Sequence, residues 1–163
     1  MITALTKSPE DTRELAGALA PLSRAGDVVL LAGELGTGKT VFAQGFGRAL
    51  GIQEPITSPS FTLVRIYPGR VRLVHADVYR LDHLQEVVDL ALLELVDEGA
   101  VALVEWGDVA APALSPDFLE VGLEWGAGED ERRISLRTVG HAWLARQGAL
   151  SAALGRWAGG GPR

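Results

Sequence analysis

The sequence predicts an α/β fold, and two kinds of apolar pattern predict it. Val28–Ala32 and Val101–Val104 are short, wholly apolar runs, which is typical of strands buried on both faces of a parallel sheet. Elsewhere, apolar residues recur at helical spacing. The clearest sets are Leu15, Leu19 and Leu22, and Phe42, Phe46, Ala49 and Leu50. Buried strands that alternate with amphipathic helices predict a sheet covered by helices.

The first predicted helix begins at Ser8-Pro9-Glu10-Asp11. Serine is a favourable N-cap, proline suits the first helical position, and acids suit the positive end of a helix. Gly26 ends this segment, and Asp27 leads into the first buried strand.

An octapeptide follows that strand: Gly33-Glu34-Leu35-Gly36-Thr37-Gly38-Lys39-Thr40. It fits G-x-x-x-x-G-K-[ST], the Walker A pattern of a phosphate-binding loop, or P-loop. Glycines allow several backbone N–H groups to point at one phosphate, and the next helix directs its positive N-terminal end at the same anion. We expect Lys39 to reach the β- and γ-phosphates and the Thr40 hydroxyl to bind Mg²⁺. Strand, loop and helix therefore predict a nucleoside triphosphate site.

A loop rich in proline and hydroxyl side chains, Ile52–Thr62, comes after the phosphate-loop helix. Many nucleotide hydrolases place a switch segment here, but serine and threonine beside proline are also ordinary turn chemistry. Phe61–Tyr67 and Val71–Ala76 then predict two strands. They are joined at Pro68-Gly69-Arg70, which indicates an antiparallel hairpin.

Two carboxylates are expected beside the phosphate loop. Glu105 ends an apolar run, which is the Walker B pattern of a strand that delivers an acid to the metal and the attacking water. Most such strands end in Asp, and Glu105 could contact Mg²⁺ through water, polarise the attacking water, or do both. Asp77 follows the second hairpin strand and could either hold Mg²⁺ or cap a turn. His75 is interpreted as a buried or hydrogen-bonded structural histidine.

The remaining segments carry no chemical motif. Asp82 is expected to cap a core-facing helix that extends to Leu95. Two strands, a final helix and a disordered tail are predicted at Phe118–Trp125, Arg132–Val139, His141–Trp157 and Gly159–Arg163. We expect a single domain over residues 1–158.

Composition excludes several function classes. The absence of cysteine excludes disulfides, zinc-thiolate sites and cysteine nucleophiles. The formal charge of −6 argues against a protein that grips nucleic acid by itself, since such proteins usually show a basic surface, although a local arginine patch could lie within this acidic total. The segment Met1–Lys7 lacks the charged and long apolar regions of a signal peptide, and the sequence contains no run of 18 apolar residues, so we expect a cytoplasmic protein. The sequence contains no asparagine and hence no Asn-Lys-x-Asp motif, which excludes a GTPase that recognises guanine in the usual way.

Four motifs in a fixed order point to a known family. Besides the phosphate loop they are Ser58-Pro59-Ser60-Phe61-Thr62-Leu63, His75-Ala76-Asp77-Val78-Tyr79-Arg80-Leu81 and Leu103-Val104-Glu105-Trp106. From about Ser8 to Arg137 the chain resembles the TsaE (YjeE) family, small bacterial ATPases needed for threonylcarbamoyladenosine modification of tRNA. This resemblance implies a three-layer P-loop NTPase fold with a mixed, mainly parallel sheet flanked by helices.

The resemblance also implies a function and its residues. TsaE proteins are understood to use ATP and Mg²⁺ to keep a complex of TsaD and TsaB cycling while that complex modifies the adenosine beside the anticodon. Contact with tRNA is expected to be indirect or in a composite site. Lys39 and Glu105 match the catalytic positions, and Thr40, Glu105 and Asp77 the metal site. Nucleotide contacts are expected from Gly33, Glu34, Leu35, Gly36, Thr37, Gly38, Lys39, Thr40, Val41 and Thr62.

Two departures from the family pattern and two alternative functions remain. Ser60 stands where Thr is common, and Gly107-Asp108-Val109 stands where a basic or amide residue is frequent. A P-loop small-molecule kinase is one alternative, although no basic lid sequence is evident; a nucleotide-bound regulatory module without turnover is the other. Arg80 is the best internal candidate for an arginine finger, and a partner could complete the site instead. We therefore expect slow hydrolysis by the protein alone.

Overall fold

The computed structural model describes residues 1–58, 64–77, 92–105 and 115–159. Seven strands lie in these residues: β1 (Ile2–Thr6), β2 (Val28–Ala32), β3 (Val64–Tyr67), β4 (Leu73–Asp77), β5 (Val101–Glu105), β6 (Phe118–Trp125) and β7 (Arg132–Val139). Five α-helices accompany them: α1 (Pro9–Leu19), α2 (Lys39–Ala49), α3 (Leu93–Asp97), α4 (His141–Leu144) and α5 (Gln147–Ala153). Short 3₁₀ turns occur at Ala20–Leu22 and Gly155–Trp157.

The strands form one sheet in the order β1-β7-β6-β2-β5-β4-β3. Its centre is parallel, because β2 pairs in parallel with both β5 and β6, and β5 pairs in parallel with β4. The edge pairs β3–β4, β6–β7 and β1–β7 are antiparallel. Only β3 and β7 thus run against the other strands of this sheet. The expected mixed, mainly parallel sheet is confirmed.

The central strand β2 contributes side chains to both faces of the sheet. Val29 and Leu31 belong to a buried cluster shared with α1, α2 and the C-terminal helices. Val28 and Leu30 belong to a second buried cluster that includes Val96 of α3. The side-chain alternation of a strand therefore produces the three expected layers of helix, sheet and helix. None of the helices in the described ranges is long and apolar enough to cross a membrane.

The predicted start of α1 is confirmed by its cap. The Ser8 Oγ accepts a hydrogen bond from the Asp11 N–H at 3.0 Å. The Asp11 carboxylate accepts one from the Lys7 N–H at 3.0 Å and one from the Trp157 Nε1–H at 2.7 Å. Burial acts to raise the pKa of Asp11, but these hydrogen bonds and Arg156 outweigh it and hold the pKa below its usual value. Asp11 therefore ties the C-terminal 3₁₀ turn to the first helix.

The structure adds β1, a strand that the sequence analysis did not predict. It pairs with β7 from Ile2 opposite Leu136 to Thr6 opposite Arg132. Ala4 and Thr6 are fully buried, and the Thr6 hydroxyl lies 2.7 Å from that of Thr12 in α1. Apolar and polar residues do not alternate strictly along Ile2–Thr6, so the strand pattern is weak and β1 depends on its pairing with the edge of β7.

The single final helix predicted over His141–Trp157 is wrong, because the helix breaks at Arg146. The Arg146 backbone N–H bonds to the Trp143 carbonyl, three residues back, at 3.0 Å. The Ala142 carbonyl, four residues back, accepts instead from the Arg146 side-chain Nε–H at 3.0 Å. The Arg146 side chain has thus replaced one backbone bond of the helix, and α5 begins at the next residue.

The other strand predictions agree with the structure where it describes them, except that the strand predicted at Val71–Ala76 begins at Leu73 and includes Asp77 as its last residue. β6 and β7 have the predicted bounds, and β3 and β4 form the predicted antiparallel hairpin around Pro68-Gly69-Arg70. Several expected features lie outside the described residues. They are the helix start at Asp82, the segment from Pro59 to Leu63, the segments after Asp77 and Glu105, and tail residues 160–163.

Candidate functional site

The predicted phosphate loop connects β2 to α2 and lies against β6. Gly38 caps α2 with φ of 104°, a left-handed conformation that favours glycine. At Gly33 a Cβ atom would lie 2.6 Å from the Leu123 carbonyl oxygen of β6. Glycine is therefore needed at these two positions for different reasons. Gly38 permits the turn into the helix, and Gly33 permits close contact with the neighbouring strand.

Thr37 and Arg132 hold the loop in shape. The Thr37 N–H and hydroxyl both donate to the Glu34 carbonyl, at 3.2 and 2.7 Å. The Arg132 Nε–H, at the start of β7, donates to the Thr37 carbonyl at 3.0 Å. Thr37 is buried, so its role is to stabilise the loop. Sequence reasoning missed Arg132, because no local pattern connects it to a loop so distant along the chain.

Lys39 is almost fully buried, with 7% of its surface exposed. Lysine is rarely buried without partners. Its Nζ donates to the Gly33 carbonyl at 2.6 Å. Burial lowers the pKa of Lys39, while the charges of Glu105 and Asp77 act in the opposite direction. The ammonium group therefore lies in the field of the two carboxylates that the sequence singled out.

Strand register brings Asp77 and Glu105 together. They are opposite each other in the β4–β5 ladder, and Glu105 is also opposite Leu31 in the β2–β5 ladder. Both follow the side-chain alternation of Leu73 and Leu103, which pack on the α2 face of the sheet. Glu105 is 3% exposed. The two acids consequently reach the same edge and the same face as the start of α2.

One cleft of about 130 Å³ collects residues from separate motifs. Its lining consists of Leu35, Gly36, Gly38, Lys39, Thr40, Ser58, Asp77 and Glu105. Of the other expected residues, Gly33, Glu34 and Thr37 build the loop, Val41 lies in the first turn of α2, and Thr62 is outside the described residues. The expectation that Thr40, Asp77 and Glu105 lie near one another is thus met.

A larger cleft of about 350 Å³ lies on another part of the surface, between α1, α2 and the loop after α2. Arg13, Gln44 and Arg48 line it together with residues 52–56. It contains neither the phosphate loop nor the carboxylate pair. The smaller cleft is therefore the candidate site.

The His75 side chain is a buried neighbour of Glu105. It is fully buried, and its Nε2 is 3.7 Å from the Glu105 Oε1, which is too long for a direct hydrogen bond. Within the described part of the chain, neither ring nitrogen has a hydrogen-bond partner. The prediction of a buried histidine is confirmed.

The oxygen atoms of the cleft fit Mg²⁺. This ion prefers hard oxygen ligands and is usually held by one or two carboxylates together with waters and phosphates. Thr40, Asp77 and Glu105 supply one hydroxyl and two carboxylates. Among the residues that the structure describes, no group of three or more His, Cys, Asp or Glu side chains could hold a metal by itself. The donor set therefore suits a cation shared with a phosphate ligand.

Comparisons with known proteins agree in sequence and in structure. The family model described as threonylcarbamoyl adenosine biosynthesis protein TsaE matches residues 6–134. The tRNA threonylcarbamoyladenosine biosynthesis protein TsaE of Bacillus subtilis is 39% identical over 85% of this chain and 86% of that protein. Its counterpart in Mycobacterium bovis is 44% identical over 80% and 83%.

A solved structure extends the likeness to the fold. The crystal structure of YdiB from Bacillus subtilis superposes with a TM-score of 0.76 and 35% identity, covering 95% of this chain and 94% of that one. The α/β P-loop NTPase fold is therefore confirmed. The chain belongs to the TsaE family, which is named for the biosynthesis of threonylcarbamoyladenosine in tRNA.

Proposed function

We propose that the protein binds ATP with Mg²⁺ and hydrolyses it slowly, and that it thereby supports the TsaD–TsaB complex in modifying the tRNA adenosine beside the anticodon. The observation that carries this proposal is the convergence of Lys39, Thr40, Asp77 and Glu105 on one cleft. These residues come from three motifs that are distant in sequence. The family names support the tRNA pathway.

Each side chain has a defined role in this proposal. Backbone N–H groups of the loop and the N-terminus of α2 bind the phosphates, and Lys39 adds a positive charge there. Mg²⁺, when bound, neutralises the charge that develops on the phosphate oxygens. Thr40 and Asp77 would hold this ion, and Glu105 would contact it through water. Glu105, buried at the end of β5, orients and polarises the attacking water.

We expect slow hydrolysis because no arginine lies among the described residues that line the cleft. An arginine finger is worth about 10³–10⁵ in rate for this reaction class. Arg80 lies outside the described residues. We propose that docking to the partner complex completes the site. This role would place the protein in the cytoplasm, with tRNA contacted indirectly or in a composite site.

Capture by purified TsaD and TsaB tests the proposed role. The immobilised chain is incubated with both proteins in the presence of ATP and Mg²⁺, with ADP and Mg²⁺, and without nucleotide. We expect efficient capture only with ATP, because the γ-phosphate distinguishes the two nucleotide states. Equal capture in all three conditions would remove nucleotide control. Absence of capture, together with phosphate transfer to a small acceptor, would favour a kinase.

Glu105→Gln tests the hydrolytic role. The amide keeps the size of the side chain but cannot accept a proton from water, so turnover should fall by about 10²–10⁴-fold, the usual contribution of a positioned base. The Kd for ATP should stay within a few-fold of the parent value. Phosphate release and calorimetry measure the two quantities. Glu94→Gln, on the exposed side of α3, is the matched control. Parental turnover in Glu105→Gln would refute the assigned role.

A further inference from the structure

The orientation of a bound triphosphate follows from the cleft. This orientation, and the role of the base-binding residue inferred from it, rest on the proposed function. Asp77 and Glu105 lie on the β4–β5 side of the phosphate loop, and hydrolysis requires the terminal phosphate to lie beside them. The nucleoside must therefore leave the loop on the opposite side. The strand on that side of β2 is β6.

β6 extends past the end of β2 along the flank of the loop. The last paired position is Ala32 with Gly122, and β6 continues for three more residues to Trp125. A Cβ atom at Gly36 would lie 3.5 Å from the Cη2 of the Trp125 ring. The indole edge thus lies next to Gly36 of the phosphate loop, on the side away from the two carboxylates.

The Trp125 ring is held in place but remains accessible. The Arg132 guanidinium carbon lies 4.2 Å from the ring centroid, so one face of the ring is covered. Arg132 is itself fixed by hydrogen bonds to the carbonyls of Thr37, Glu129 and Glu131. Trp125 is nevertheless 48% exposed. Since Arg132 covers one face and Gly36 one edge, the accessible surface is the opposite face and the outer edge.

We infer that Trp125, braced by Arg132, is the stacking platform for the base of the bound nucleotide. An aromatic ring beside a phosphate site can stack any base, because every base has a π face. Bracing by Arg132 reduces the loss of side-chain freedom on binding. Trp125 therefore contributes to the affinity for nucleotides and leaves the affinity for inorganic phosphate chains unchanged.

A comparison of two ligands distinguishes a role of Trp125 in base stacking from a role in phosphate binding. Calorimetry with Mg²⁺ measures the Kd of ADP and of inorganic tripolyphosphate for the parent protein, Trp125→Ala and Trp125→Phe. Trp125→Ala should weaken ADP binding about tenfold or more, the usual effect of removing one stacked aromatic. Tripolyphosphate affinity should change by less than about twofold. Trp125→Phe should recover most of the ADP affinity, because a smaller ring still stacks.

Matched measurements make each outcome decisive. Leu144→Ala removes an exposed apolar side chain from α4, outside the candidate cleft, and should affect neither ligand. Unchanged ADP binding in Trp125→Ala would overturn the stacking role of Trp125 but not the proposed function. An equal loss for both ligands, with a parental thermal midpoint, would instead assign Trp125 to loop support. A parent protein that binds neither ligand would overturn the proposed function itself.

Discussion

Replacing Lys39 with alanine is expected to weaken ATP binding by about 2–5 kcal/mol, the usual loss when one member of a buried charge pair is truncated. This corresponds to a roughly 30- to 5,000-fold rise in Kd. Lys39 is 7% exposed, so after its removal little water could reach the phosphates to solvate their charge. The two nearby carboxylates would then repel the ligand without compensation. Calorimetric titration of ATP with Mg²⁺ measures the effect.

The chain offers a matched control for this experiment. Lys7 is the other lysine in the sequence, and it is exposed at the end of β1. Lys7→Ala removes the same charge and should leave the Kd for ATP within about twofold, since surface charges are screened by salt. Equal affinity in Lys39→Ala and the parent protein would contradict the assignment of the phosphate site.

Truncating Arg146 is expected to destabilise the fold by about 3–5 kcal/mol, the usual cost of breaking a buried ion pair by removing one partner. Its guanidinium donates to both oxygens of Asp27 at 2.6 and 2.9 Å, and to the Leu22 carbonyl at 3.0 Å. The side chains of Arg146 and Asp27 are 7% and 10% exposed. Arg146→Met would remove the guanidinium, which also lies over the Trp143 ring at 3.8 Å from its centroid, and would leave the Asp27 charge buried. Urea denaturation measures the loss.

A double variant identifies the cause of that loss. Asp27→Ala combined with Arg146→Met removes both charges, so it should cost less than the sum of the two single changes. Arg137→Ala is the control, because it breaks the more exposed pair with Glu120 and should cost less than about 1 kcal/mol. Additive effects of the two changes would show that the charges do not stabilise each other.

The elements that sequence predicted well are those determined by nearby residues. Ser8 caps α1 because its hydroxyl needs a donor only three residues away. β2 is buried on both faces because all its side chains are apolar. The phosphate loop, too, follows from the spacing of its glycines, Lys39 and Thr40. Even the two acids could be named in advance, because each comes at the C-terminal end of a predicted strand.

Tertiary structure decided what depends on distant pairs. The strand β1 exists because β7 offers an edge, and the final helix breaks because Arg146 turns its side chain toward Asp27. Register, which local sequence does not encode, placed Asp77 opposite Glu105. The same holds for Arg132, which supports a loop formed far earlier in the chain. By itself the sequence determined which residues can handle phosphate and metal; packing of the sheet determined that they meet, because only strand pairing brings distant residues to one edge.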